Sequence, residues 1–94
     1  MSALIQMLPS LFVLMESVNR LICEFISNRW IKNAKSKRAF ALDHNIDEKT
    51  VRRIVGDKKY AMRIETLHKI CESRNMKLSD FFIEVEAWGK SVKR

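Results

Sequence analysis

Glu48, Lys49, Arg52 and Arg53 put three cations and one carboxylate within six consecutive residues, and Lys35, Lys37, Arg38, Lys58, Lys59, Tyr60 and Arg63 bracket them on both sides. A guanidinium offers a planar fork of N–H donors that pairs with two acceptors at once, whereas an ammonium acts as a compact point charge. Both suit an anionic oxygen or the acceptor edge of a purine, and a glutamate can take a proton donor such as an exocyclic amine. The charge balance points the same way. Between Arg29 and Arg63 eleven bases face four acids, an excess equal to the whole net charge of +7, and the remainder of the chain is neutral. An excess confined to one third of a chain marks a local surface for a polyanion rather than general solubility charge.

Other chemistries find less material. His68 and Cys71 stand three apart, with His44 and Cys23 distant in sequence, whereas structural zinc uses four ligands in closely spaced pairs. The expectation is therefore no metal, with Cys23 and Cys71 as small core hydrophobes, and no disulfide framework, as for a protein of a reducing cytoplasm. There is no phosphate-cradling glycine loop, no nucleophile elbow and no local acid–base arrangement around either histidine. No enzymatic activity and no cofactor are expected. His44 reads as a turn residue and His68 as an exposed helix residue.

The elements that position the basic groups follow from length and pattern. Ninety-four residues make one small domain, and a 47% hydrophobic, 31% charged composition is that of a folded chain. With two Gly and one Pro there is little material for the turns of a sandwich or barrel, so an all-α fold is expected. Leu11, Leu14, Val18, Leu21, Ile22, Phe25 and Ile26 recur at helical spacing, which predicts a first helix capped by Ser10 and continuing through Trp30 and Ile31. The uncharged leader before it is too short and too interrupted to span a membrane, and either Met1 or Met15 can be the natural start.

Four shorter helices follow. Ser36 caps one with Ala39, Phe40 and Leu42 inward, and Asn45 turns the chain in the left-handed conformation that Asn tolerates. Asp47 caps the next through its carboxylate, with Val51, Ile54 and Val55 inward, Glu48 at the exposed first turn and Lys49, Arg52 and Arg53 outward. Gly56 and Asp57 end it, and Lys58 to Ala61 form a basic loop. Ile64, Leu67, Ile70 and Cys71 predict a fourth stripe from Arg63 to Arg74, and Ser79 or Asp80 opens a last segment with Leu78, Phe81, Phe82 and Val85. The expected core is Phe40, Ile46, Val51, Ile54, Leu67, Ile70, Leu78 and Phe81.

The stretch from Ser36 to Phe82 resembles the phage-repressor and Cro type of helix-turn-helix domain. Phe40 and Ala41 stand where that family has a Leu-Ala pair, Asn45 where it has a glycine, Ile46 at its β-branched position and Asp47 at its cap, with Thr50, Val51 and Ile54 on the recognition helix. Glu65 to Ile70 is similar to the family's fourth helix, and Leu78-Ser79-Asp80-Phe81-Phe82 to its closing segment. Asn45 for glycine, Val55 where an acid is frequent, and the lack of a proline after the basic loop depart from the pattern.

The resemblance implies a lambda-repressor-like bundle of four to five short helices with a longer N-terminal helix. It also implies a sequence-specific regulator of transcription, a repressor, that binds double-stranded DNA with the helix 47–56 in the major groove. Glu48, Lys49, Arg52 and Arg53 are then the base-reading residues, and Lys35, Lys37, Arg38, Lys58, Lys59, Tyr60 and Arg63 the phosphate contacts. The expected organisation is an N-terminal segment 1–34 that can dimerise, a DNA-binding domain 35–86 and a basic tail 87–94. The partners expected are DNA and a second copy of the chain, in a bacterial or phage cytoplasm. An alternative reading is an antitoxin-like module whose N-terminal helix clasps a toxin protein.

Overall fold

A computed structural model describes residues 18–92, and every element among them is helical. Helix α1 runs over 18–26 and widens into a π turn at Ser27–Ile31; α2 is Lys37–His44, α3 Glu48–Gly56, α4 Ile64–Ser73 and α5 Leu78–Val92. The expected Ser10 cap and the apolar run 11–15 lie outside the described residues.

One core joins all five helices. Ile22, Cys23, Phe25, Ile26 and Ile31 of α1 pack with Phe40, Ala41, Val51, Ile54, Leu67, Ile70, Cys71, Phe81 and Val85. Each fully buried Phe or Ile removes enough apolar surface from water to contribute about 1.5–3 kcal/mol. The π turn has a packing reason: the amide of Lys32 reaches back to the carbonyl of Ser27 at 3.0 Å, and this wider pairing brings Ile26 and Ile31, five residues apart, onto the same buried side. Phe25 lies edge-on to Trp30, Phe81 and Trp88, which ties α1 to α5.

The residues read as a tail from position 87 belong to α5 through Val92, with Trp88 packed on the core and Gly89 buried against Leu21. A Cβ added at Gly89 would meet a methyl carbon of Leu21 at 3.0 Å, so the small residue is what allows this close approach.

Local signals explain most element ends. Ser36 accepts the amide of Ala39 at 2.9 Å, as expected for a helix cap. Asn45 has φ 59° and Asn75 has φ 57°, and each closes its helix with a wrapped-back bond: Ile46 N–H to Ala41 O at 3.0 Å, and Met76 N–H to Cys71 O at 2.9 Å. Asp47 departs from expectation. It has the extended backbone of a cap and its carbonyl accepts from Val51, but its exposed carboxylate makes no capping bond and stays in water.

Three apolar side chains expected inward are turned outward: Leu42 is 72% exposed, Ile64 60% and Val55 39%. Val55 and Ile64 sit at the edges of their helices' apolar stripes and Leu42 on the side of α2 away from Phe40 and His44, and an apolar side chain is free to remain at the surface. Ile46 and Leu78 are half-buried rather than central. The thiols of Cys23 and Cys71 are buried, which pushes both up to about 11 and keeps them protonated, as befits core hydrophobes.

Candidate nucleic-acid interface

Helix α3 is anchored by Val51 and Ile54, which are 0% and 2% exposed and press against the core beside α2 and α1. Successive residues advance by 3.6 per turn, so Lys49, Arg52, Arg53 and Gly56 gather on the side opposite these two anchors. All four are exposed, and nothing lies within 4 Å of where a Gly56 Cβ would stand. The outward face of α3 is thus cationic and sterically open.

Glu48 and Arg52 hold each other at 2.8 Å across one helical turn. Their side chains are 37% and 65% exposed, and an exposed pair of this spacing is worth only about 0.3–0.5 kcal/mol, so either partner is readily exchanged for a ligand group. Lys49 and Arg53 form no ion pair among the described residues.

Arg53 reaches toward the loop between α3 and α4. With Thr50, Asp57, Lys59, Tyr60, Ala61, Arg63 and Thr66 it lines an open cleft of about 590 Å³, which brings three cations and three hydroxyl-bearing side chains to one place. Tyr60 is half-buried there, and its phenol is held above its ordinary pKa first by burial, with Thr66, Arg53 and Arg63 pulling the other way. A protonated phenol remains a donor for an anionic oxygen. The loop's entry is a tight turn, in which the carboxylate of Asp57 accepts the amide of Lys59 at 2.9 Å and its carbonyl accepts that of Tyr60 at 3.0 Å. Lys58 is exposed on this turn.

Lys35, Lys37 and Arg38 are exposed around the start of α2 and line no part of the cleft. The structure therefore groups the singled-out residues in three places: the face of α3, the cleft and loop beyond it, and the opening turn of α2.

A family model described as the Cro/C1-type HTH DNA-binding domain matches residues 26–86. The chain belongs to this family. No curated protein and no solved structure matches the chain significantly.

As a Cro/C1-type domain it is a DNA-binding module of a regulator family, and the match begins at Ile26, inside the first helix, rather than at the motif alone. Two residues escaped sequence reasoning. Asn19 of α1 bonds to the backbone of the loop 57–63 through both ends of its amide. His44, expected in a turn, is 7% exposed on the last turn of α2, stacked on the Phe40 ring at 3.8 Å. No local signal announces either: Phe40 is one helical turn from His44, but Arg74, which bonds its other ring nitrogen, lies 30 residues away, and the partners of Asn19 lie 41 and 43 away. His68 is exposed, as expected. Among the described residues no helix is long and apolar enough to cross a membrane, and no three His, Cys, Asp or Glu side chains group as a metal site.

Proposed function

We propose that this Cro/C1-type domain is a sequence-specific transcriptional repressor that lays α3 in the major groove of double-stranded DNA. The observation that carries the reading is the cationic, open side of α3 directly opposite its two buried anchors, continuous with the cleft where Arg53 meets Lys59 and Arg63. An α-helix fits the major groove, where Arg or Lys donates to guanine O6 and N7 and Glu accepts from cytosine N4. Lys49, Arg52 and Arg53, with Glu48, are the base-reading residues. Lys58, Lys59, Tyr60 and Arg63 on one side, and Lys35, Lys37 and Arg38 on the other, take the phosphates, which fix register without reading sequence.

A single recognition helix reads few base pairs, so the proposal includes a twofold dimer on two half-sites about 34 Å apart. Within 18–31, Ile22, Cys23, Phe25, Ile26 and Ile31 are buried in the chain's own core, and the dimer contact is assigned to the remaining apolar side chains of the segment from Leu4 to Ile26.

The test separates reading from positioning. Arg53→Ala and Lys49→Ala are expected to cost roughly 1–3 kcal/mol and to relax preference at particular base pairs, whereas Lys58→Ala and Lys59→Ala weaken all duplexes about equally. Equal, sequence-blind losses in all four variants would remove α3 from the role of reader.

A further inference from the structure

We infer that Asn19 on α1 is a positioning residue for DNA binding, which sets the loop between α3 and α4 at the height where its cations meet phosphates. The inference rests on the reading of the basic face as a DNA surface. Asn19 donates from Nδ2 to the carbonyl of Tyr60 and accepts the amide of Met62 at its Oδ1, 3.0 Å away. One side-chain amide thus satisfies a backbone acceptor and a backbone donor two residues apart, across 41 and 43 positions of sequence.

The loop needs such a hold. The Asp57 turn organises only its entry, up to the amide of Tyr60. Residues 60–63 have no regular structure; the carbonyl of Arg63 accepts the amide of Leu67 in α4 at 3.1 Å, and the two bonds from Asn19 fix the stretch before it, Tyr60 to Met62, to α1. Asn19 is itself partly buried, where a hydrogen bond is less weakened by competing water than on an open surface. Three residues on, Ile22 enters the core, and Leu21 packs on Gly89, so the loop is referenced to the rigid body of the domain. The backbone that carries Lys58, Lys59 and Arg63 is in consequence set before DNA arrives, and less backbone ordering entropy is lost when it binds.

The experiment uses the full chain and a labelled duplex of about two helical turns, with affinity measured as a function of sodium chloride. Each phosphate contact contributes about 0.9 to the slope of log affinity against log salt. Asn19→Ala is expected to make the slope shallower by about 0.9–1.8, the loss of one or two phosphates, while the thermal transition still lies above the assay temperature. Asn19→Asp keeps an acceptor for Met62 but opposes an oxygen to the Tyr60 carbonyl, and moves the slope in the same direction; it carries the test if the alanine variant does not fold. In a background with Lys58→Ala, Lys59→Ala and Arg63→Ala, removal of Asn19 changes the slope no further, because the amide acts through those cations.

A purely structural role would lower the active fraction and leave the slope alone. An unchanged slope in both Asn19 variants, or an undiminished further loss in the triple background, overturns the inference. A wild-type slope near zero instead defeats the DNA reading beneath it.

Discussion

Arg74 donates from Nη1 to Nε2 of His44 across 3.1 Å, while its guanidinium lies 4.1 Å from the centre of the Trp30 ring. Because Nε2 accepts, the ring proton is assigned to Nδ1, which donates to the carbonyl of Phe40 at 2.8 Å. This places a neutral histidine at the end of α2, joined through one arginine to the turn after α4 and to the π turn of α1. Protonation would remove the acceptor and set two cations face to face.

Stability should therefore depend on pH near neutrality. Burial holds His44 below its ordinary pKa, Arg74 lowers it further, and the Phe40 carbonyl and Asp43 oppose them, with Glu84 lining the same cavity from α5. The unfolded chain takes up a proton as pH falls through about 6.5, whereas the folded one resists. The stabilisation is full above that pH and is lost as pH falls toward the folded value, by at most about 1.4 kcal/mol per pH unit for one proton. Melting temperatures from pH 7.5 to 5.5 should fall for the wild type and stay flatter for His44→Gln. Parallel curves would mean that His44 titrates normally.

The turn between α2 and α3 gives a second prediction. Asn45 sits at φ 59°, which costs an ordinary L-residue about 1–2 kcal/mol and a β-branched residue more. Asn45→Gly should hold or raise the melting temperature, and Asn45→Val should lower it by several degrees, at about 4–8 °C per kcal/mol for a domain of this size. Tolerance of valine would contradict the left-handed turn.

What the sequence makes legible is what neighbours in sequence decide. Ser36 caps α2 through a residue three positions on, Asn45 turns because of its own side chain, and Phe40, Val51 and Ile54 face inward because helical spacing puts them there. Leu42, Val55 and Ile64 mislead, since an apolar side chain is free to remain at the surface of a thin body. His44 and Asn19 are illegible for a different reason: their roles depend on Arg74, Tyr60 and Met62, which only the folded chain brings near. The extent of α5 belongs with them. Its last turns are fixed by Trp88 against Phe25 and by Gly89 against Leu21, some 60 to 70 residues earlier in the chain.

Assembly is the third expectation. Sedimentation of the full chain should show a dimer at micromolar concentration, and a version beginning at Met15, which keeps all of 18–92, should be monomeric. Two monomers would defeat the dimer, and two dimers would clear the leader of causing it.

The most direct measurement of the central claim is the salt dependence of binding to duplex DNA. If about six of the cations on α3, the cleft and the start of α2 meet phosphates, the slope of log affinity against log salt is expected near −5. A slope near zero would show that the basic face of this Cro/C1-type domain is not the surface that holds DNA.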